Sequence, residues 1–325
     1  MRPHELLTRA QAKSLRCIPA MPTIFAGNGL GPDDAPIAWE QQDQVVQFLL
    51  DRRVDAILGD GTTGEAATQE HREQLSFIDW LVSCVSGQVP VIAGCGSNCT
   101  REAVNLTRGA MEVGANAGLV VKPYYNKPGA SGLVAHFASI AQVGLPFITY
   151  SVSGRHGGGA IPIEVIAKLA QEFPHHLGHK EAEGKSQRFT DLRQACPDDF
   201  VIWSGDDGIT AEVMANGDCD GVISVAANVV PAEVKKMTDL FVQAGGQPTN
   251  QATQGFAIHN RLKTLFGSQG LFMQTNPQPV KTALAMMDVI KEACFRLPLV
   301  PMEQENPDDV EALRRVLADL DLVEA

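Results

Sequence analysis

Lys180 is the residue of this 325-residue chain that most needs a chemical explanation. It stands within Leu177-Gly-His-Lys-Glu-Ala182, a strand-like run in which a lysine helps neither β pairing nor packing. An amine enclosed among strands loses hydration, its ammonium form is disfavoured, and the free base is a nucleophile toward a ketone carbon. The competing account is a rim lysine with a buried stem, paired to Glu181 or Glu183, and spacing alone does not separate the two. The chain's three tyrosines, Tyr124, Tyr125 and Tyr150, all end strand-like runs. A phenol of pKa about 10 is a poor acid or base alone, but a hydroxyl chain through Tyr125, Thr62 and Tyr150 would relay protons to a carbinolamine. The commoner reason for a strand-end tyrosine is packing with the hydroxyl in water. Gly61-Thr62-Thr63-Gly64-Glu65 offers two hydroxyls and free N–H groups at a strand-to-helix turn, which suits a carboxylate cradle or a plain helix cap. Arg155, within Ser153-Gly-Arg-His-Gly-Gly-Gly159, is placed either to clamp a second carboxylate or to ride on a mobile glycine-rich loop.

The elements around these residues decide whether they meet. Apolar runs at 18–25, 56–58, 89–93, 118–121, 146–152, 177–180, 200–204 and 221–225 read as strands. Helix-period segments alternate with them at 37–53, 74–85, 101–113, 133–143, 162–173, 188–196, 210–215 and 231–244. Pro162 and Pro231 sit where a helix begins without needing its N–H. Strands alternating with crossover helices predict a parallel sheet, and eight such units close a (β/α)8 TIM barrel. A doubly wound open sheet is the other arrangement of the same alternation. In a parallel barrel the site lies at the C-terminal strand ends, where the two threonines, the tyrosines, Arg155, Lys180 and Gly205 all fall. After Gly245 and Gly246 only helical segments follow, at 252–266, 280–293 and from 308 to about 320. The expected organisation is a barrel over 1–245, led by a short arm over 1–17, and a helical extension over 246–325 that covers the barrel or mediates subunit contacts.

Composition narrows the class. The length fits one barrel of about 250 residues plus an extension. A formal net charge of −12 repels a phosphate backbone, and no basic run with interleaved aromatics offsets it, so no nucleic-acid partner is expected. No apolar run of roughly 18 residues would span a bilayer, and residues 1–17 lack the apolar stretch and cleavage site of a secretory signal, so no membrane partner is expected either. The 7 cysteines are scattered, without a C-x-x-C pair, which suggests neither a disulfide framework nor a zinc site and points to a reducing cytoplasm. Gly94-Cys-Gly96 lacks the third glycine of a dinucleotide fingerprint, and no Gly-Lys-Ser/Thr marks a phosphate loop. Asp206-Asp207-Gly208 reads as a turn rather than a cation site, since adjacent carboxylates in a strand point opposite ways.

In order and spacing the chain resembles the dihydrodipicolinate synthase and N-acetylneuraminate lyase family along nearly the whole barrel. The resemblance rests on Gly-Thr-Thr-Gly-Glu-Ala-Ala-Thr at 61–68, Ala-Gly-Cys-Gly-Ser-Asn-Cys-Thr-Arg-Glu-Ala at 93–103 and Lys-Pro-Tyr-Tyr-Asn-Lys-Pro at 122–128. It continues through His-Lys-Glu-Ala at 179–182, Ser-Gly-Asp-Asp at 204–207, Gly-Val-Ile-Ser-Val at 221–225 and Asn-Pro-Gln-Pro-Val-Lys at 276–281. What the resemblance implies is a pyruvate-dependent class I aldolase, a homotetramer or homodimer, working without metal or organic cofactor. It implies Lys180 as the Schiff-base lysine, Tyr150 as the acid/base beside it, and Thr62 with Tyr125 as the relay. Thr63 would hold the pyruvate carboxylate, and Ile223, through its backbone, and Gly205 would line the substrate pocket. Arg155 and the run at 276–281 resemble the synthase branch rather than the sugar-acid lyases. That branch condenses pyruvate with L-aspartate 4-semialdehyde, held by Arg155, to give 4-hydroxy-tetrahydrodipicolinate for lysine and diaminopimelate synthesis. Asn98, Glu102 and Tyr124 match positions that bind feedback lysine in some members.

The chain also departs from the family pattern. The usual Tyr-Asn-Val-Pro-x-Arg-Thr reads here Tyr150-Ser-Val-Ser-Gly-Arg-His156, and serine in place of proline removes a fixed φ, predicting a looser loop beneath Arg155. His179 replaces an aliphatic residue, and strand alternation turns it away from Lys180 toward the helices. Gln74 stands where a histidine often assists the lysine site. Two other functions fit: a pyruvate aldolase or lyase of the same family acting on a sugar acid or another aldehyde, and a non-catalytic paralogue that binds a small carboxylic acid. Arg155 speaks against the first, and the intact set Lys180, Tyr150, Tyr125 and Thr62 against the second.

Overall fold

The computed structural model describes residues 5–27 and 35–324, so residues 1–4 of the expected arm and residue 325 of the extension lie outside the described residues. Eight parallel strands, β1 (Cys17–Pro19), β2 (Ile57–Gly59), β3 (Val91–Gly94), β4 (Ala117–Val121), β5 (Phe147–Ser151), β6 (His176–Glu181), β7 (Val201–Ser204) and β8 (Gly221–Ser224), alternate with helices. They pair in the order β1-β8-β7-β6-β5-β4-β3-β2. A parallel bridge from Ala20 to Leu58 then joins the two ends, with Met21 N donating to Leu58 O at 2.9 Å. The sheet is therefore a (β/α)8 TIM barrel rather than an open doubly wound sheet. Apart from β6, the strands are mainly apolar on both faces because both faces are covered. Ile18, Leu58, Ile92, Leu119, Ile148, Leu177, Val201 and Ile223 fill the ring. Ile57, Val91, Val120, Phe147 and Ile202 face outward against the helices.

The arm closes the N-terminal end of the ring, since Leu7, Ala12 and Leu15 belong to the interior cluster and Trp203 Nε1 donates to Leu15 O at 2.7 Å. Arg9 ties it down by donating to Ala170 O and Phe173 O at the C-terminal end of the helix Ile163–Glu172 and to His176 O at the start of β6.

One irregularity in the barrel matters for chemistry. Phe147 pairs with His176 but Ile148 pairs with Gly178, so β6 carries one extra residue against β5. Leu177 points into the ring. Strict alternation would then turn His179 inward and Lys180 outward, and the one-residue slip reverses that. Gly178 permits it, because a Cβ there would stand 2.1 Å from Val201 O. His179 faces the helix layer, as expected from its position next to Lys180, with Nδ1 2.9 Å from Thr149 Oγ1.

Beyond the barrel, the helix Asn250–Leu262 packs on Pro231–Ala244, with the Phe241 and Phe256 rings edge to face at 5.1 Å. The helix expected over 280–293 is observed as Gln278–Met286, ended by Asp288 at φ 57°. The chain then runs back across the turn that follows β2. There Arg296 donates to Ala35 O at 2.8 and 2.6 Å and to both Glu73 oxygens at 2.6 Å.

Candidate active site

The slip in β6 sets Lys180 beside its register partner Tyr150, with Nζ 4.4 Å from the phenol ring centroid and each residue only 6% exposed. The two glutamates that a rim lysine would pair with are otherwise engaged. Glu181 accepts from Arg188 Nε at 2.9 Å, and Glu183 accepts from Ser153 N at 2.7 Å. Burial pushes the Lys180 ammonium down to about 8; the nearby Asp207 charge opposes this and Arg155 reinforces it. About a tenth of the amine is therefore unprotonated at pH 7, far more than for an ordinary lysine. Burial pushes the Tyr150 phenol up to about 12 against the pull of Arg155 and the Thr62 hydroxyl beside it, so the phenol rests protonated.

Gly205 makes room for this lysine: a Cβ at that position would lie 2.7 Å from Lys180 Cε and 2.8 Å from Ala182 Cβ. Asp206 and Asp207 form a turn, with Gly208 N donating to Asp206 Oδ1 at 2.9 Å. Residue type and spacing did not mark Asp207 as a buried acceptor. It takes the N–H groups of Val225 and Ala226, each at 3.0 Å, and the Ser224 hydroxyl. Its carboxylate thus fixes the backbone that leaves Ile223, whose side chain is fully buried in the ring.

Thr63 and Arg155 are joined by a residue that sequence reasoning noticed only as part of a run. Asn276 donates from Nδ2 to Thr63 Oγ1 at 3.0 Å, and its backbone carbonyl accepts from Arg155 at 3.1 Å. The loop carrying Arg155 differs from expectation. It is not loosened by serine at 153, because it forms a short helix, Ser153–His156, with several anchors. Val152 N donates to His156 Nε2 at 2.8 Å, the opposite ring nitrogen donates to Gly157 O at 2.8 Å, and Lys122 Nζ reaches Gly158 O and Gly159 O at 3.1 and 2.7 Å. The buried imidazole at 156 supplies the rigidity that the missing proline would have given.

The expected hydroxyl chain through Tyr125, Thr62 and Tyr150 is not assembled within one chain. Tyr125 is 89% exposed and sits at φ 67°, so its phenol is turned out of the ring that holds Tyr150. Strand alternation does not foresee this left-handed step, which occurs in a tight turn where Asn126 N donates to Tyr124 O at 2.8 Å. Tyr124 is 40% exposed, Asn98 O accepts from Asn126 Nδ2 at 2.8 Å, and Glu102 accepts from Ser97 Oγ at 2.7 Å. His71, which residue spacing did not mark, stands 3.9 Å from Glu102, whereas Gln74 donates to Ala66 O at 2.7 Å. Among the described residues no three His, Cys, Asp or Glu side chains converge to hold a metal. The arrangement offers a desolvated amine, a protonated phenol and an anchored hydroxyl, with a guanidinium tied to the residue that holds that hydroxyl. Together these suit covalent chemistry on a small keto acid.

Proteins of known family resemble this chain along most of its length. The model of the dihydrodipicolinate synthetase family matches residues 15–316. A 4-hydroxy-tetrahydrodipicolinate synthase of Maridesulfovibrio salexigens is 41% identical over 280 residues, 86% of this chain and 92% of that protein. The crystal structure of dihydrodipicolinate synthase from Aquifex aeolicus superposes with a TM-score of 0.86 at 37% identity, covering 96% of this chain and 100% of that one. The chloride-inhibited dihydrodipicolinate synthase from Acinetobacter baumannii, solved in complex with pyruvate, gives a TM-score of 0.86 at 32% identity, covering 95% and 100%.

Proposed function

The chain belongs to the dihydrodipicolinate synthetase family, and from that premise we propose that it is a lyase condensing pyruvate with L-aspartate 4-semialdehyde to 4-hydroxy-tetrahydrodipicolinate. The observation that carries this reading is the Lys180 amine, buried in a closed ring beside Tyr150. The amine attacks C2 of pyruvate to give a carbinolamine, which loses water to become an iminium, with Tyr150 shuttling the protons. Loss of a methyl proton yields the enamine, whose carbon adds to the aldehyde. The amine of the second substrate then displaces Lys180 as the ring closes, and the lysine is regenerated. Thr63 holds the carboxylate of pyruvate, Arg155 that of the semialdehyde, and no external cofactor is needed.

The second substrate is tested by assaying pyruvate consumption with aspartate semialdehyde against a panel of sugar-derived aldehydes. Arg155→Ala should lower kcat/KM for the semialdehyde by about 10- to 100-fold, the worth of a charged bidentate contact, while pyruvate still forms its adduct. An unchanged kcat/KM, or a sugar aldehyde used in preference, would transfer the chain to the sugar-acid reading.

We place the reaction in the cytoplasm and in a homodimer or homotetramer. All seven cysteines are free, and no helix among the described residues is long and apolar enough to cross a membrane. The exposed Tyr125 supports the oligomer, because a phenol outside its own ring can complete the Thr62–Tyr150 relay only in a second copy. Lys180→Ala and Tyr125→Phe chains, each impaired alone, should recover up to about a quarter of wild-type activity when refolded together. Random pairing puts an intact lysine opposite an intact tyrosine in one site of each mixed dimer. No recovery would return Tyr125 to its own chain or remove it from the chemistry.

A further inference from the structure

A hydroxyl carries one proton and two lone pairs, so a threonine that is to hold a carboxylate must keep its proton free for the ligand. Thr63 is 2% exposed, and its only side-chain hydrogen bond among the described residues is the one it accepts from Asn276 Nδ2, at 3.0 Å. Asn276 is itself buried, and its Oδ1 has no hydrogen-bond partner among the described residues, so the one on Thr63 is the only hydrogen bond the carboxamide makes there. The backbone carbonyl of the same residue accepts from Arg155 at 3.1 Å.

We propose that Asn276 is a positioning residue for the keto-acid subsite: its amide N–H fills a lone pair of Thr63 Oγ1 and so turns the threonine proton toward the substrate carboxylate. Its carbonyl meanwhile holds the arginine that receives the second substrate. The inference deepens the proposed reaction and rests on it.

The test is steady-state kinetics of two variants with both substrates. In Asn276→Asp the new carboxylate accepts the Thr63 proton and sets a negative charge beside the substrate carboxylate, so KM for pyruvate should rise by on the order of 100-fold. In Asn276→Ala only the orienting bond is lost, and the rise should be about tenfold. KM for the semialdehyde should stay within about twofold in both, since Arg155 bonds to a carbonyl that every substitution keeps. A residue that merely packs would give the opposite order, because aspartate nearly matches the shape of asparagine and alanine leaves a hole. Should Asn276→Asp fail to fold, the split between the two KM values in Asn276→Ala still decides. Equal increases in both KM values, or a pyruvate KM within twofold of wild type, overturns the proposal. Borohydride trapping of pyruvate on the wild-type chain separates the two levels: without an adduct the reaction itself is misassigned, and with one only the role of Asn276 is at stake.

Discussion

Lys180→Ala is expected to lower kcat for the condensation by on the order of 10⁴-fold or more while the far-ultraviolet spectrum and melting temperature stay close to wild type. Size of effect and survival of the fold have the same origin. The lysine stem crosses a gap that Gly205 leaves open rather than supporting the ring, and its amine is held near a pKa of about 8 chiefly by burial. Burial favours the uncharged form, so the rate of adduct formation at saturating pyruvate should climb as pH rises through about 8 and level off above it. Retention of a tenth of wild-type kcat by the alanine variant would mean that the lysine is not the nucleophile. A rate that falls over the same rise in pH would mean that the reactive form is the ammonium.

Lys281→Met should destabilise the protein by about 3–5 kcal/mol, because it leaves the Glu65 carboxylate buried without its cation. Lys281 is fully buried, bonds to Glu65 and to Cys294 O at 3.0 Å, and lies over the Phe25 and Phe295 rings at 4.4 and 5.1 Å. Glu65 also accepts from Arg296 N at 3.3 Å and sits at φ 54°, two residues beyond Thr63. The ion pair therefore fastens the helical extension to the turn that carries both threonines. Glu65→Gln combined with Lys281→Met should recover most of the loss, since the orphaned charge rather than the missing contact is the costly part. Denaturant unfolding of the three chains checks this. A loss below about 1 kcal/mol for the single variant would mean that the pair is dispensable.

The barrel was legible because most strands, covered on both faces, read as apolar runs, and because Pro162 and Pro231 mark helix starts. Lys180 stood out for the same reason, as a charge inside such a run. Its inward direction was not legible, because it depends on a one-residue slip between β5 and β6 that alternation within a single strand cannot reveal. The helix expected over 280–293 ends at Met286. Val289 and Ile290 continue the apolar period, yet they reach the core from a non-helical segment beyond the positive-φ Asp288. Serine at 153 suggests a loose loop on local grounds alone, and the buried imidazole three residues on, which holds the loop, is not visible at that range. Asn276 bonds to Thr63, and Lys281 and Arg296 to Glu65, across 213, 216 and 231 positions, separations at which spacing carries no information. Tyr125 was marked by its type, its strand-end position and its match to the family motif, and its place outside the ring is a matter of backbone conformation that none of these encodes.

The nucleophile itself is open to direct chemical trapping. The intact protein is incubated with pyruvate, reduced with borohydride and digested, and the peptides are weighed. The peptide containing Lys180 should gain the mass of one reduced pyruvyl group, no other lysine should change, and no gain should appear when pyruvate is omitted. An unmodified Lys180 peptide, or an adduct on a different lysine, would contradict covalent capture of the keto acid at the mouth of this barrel.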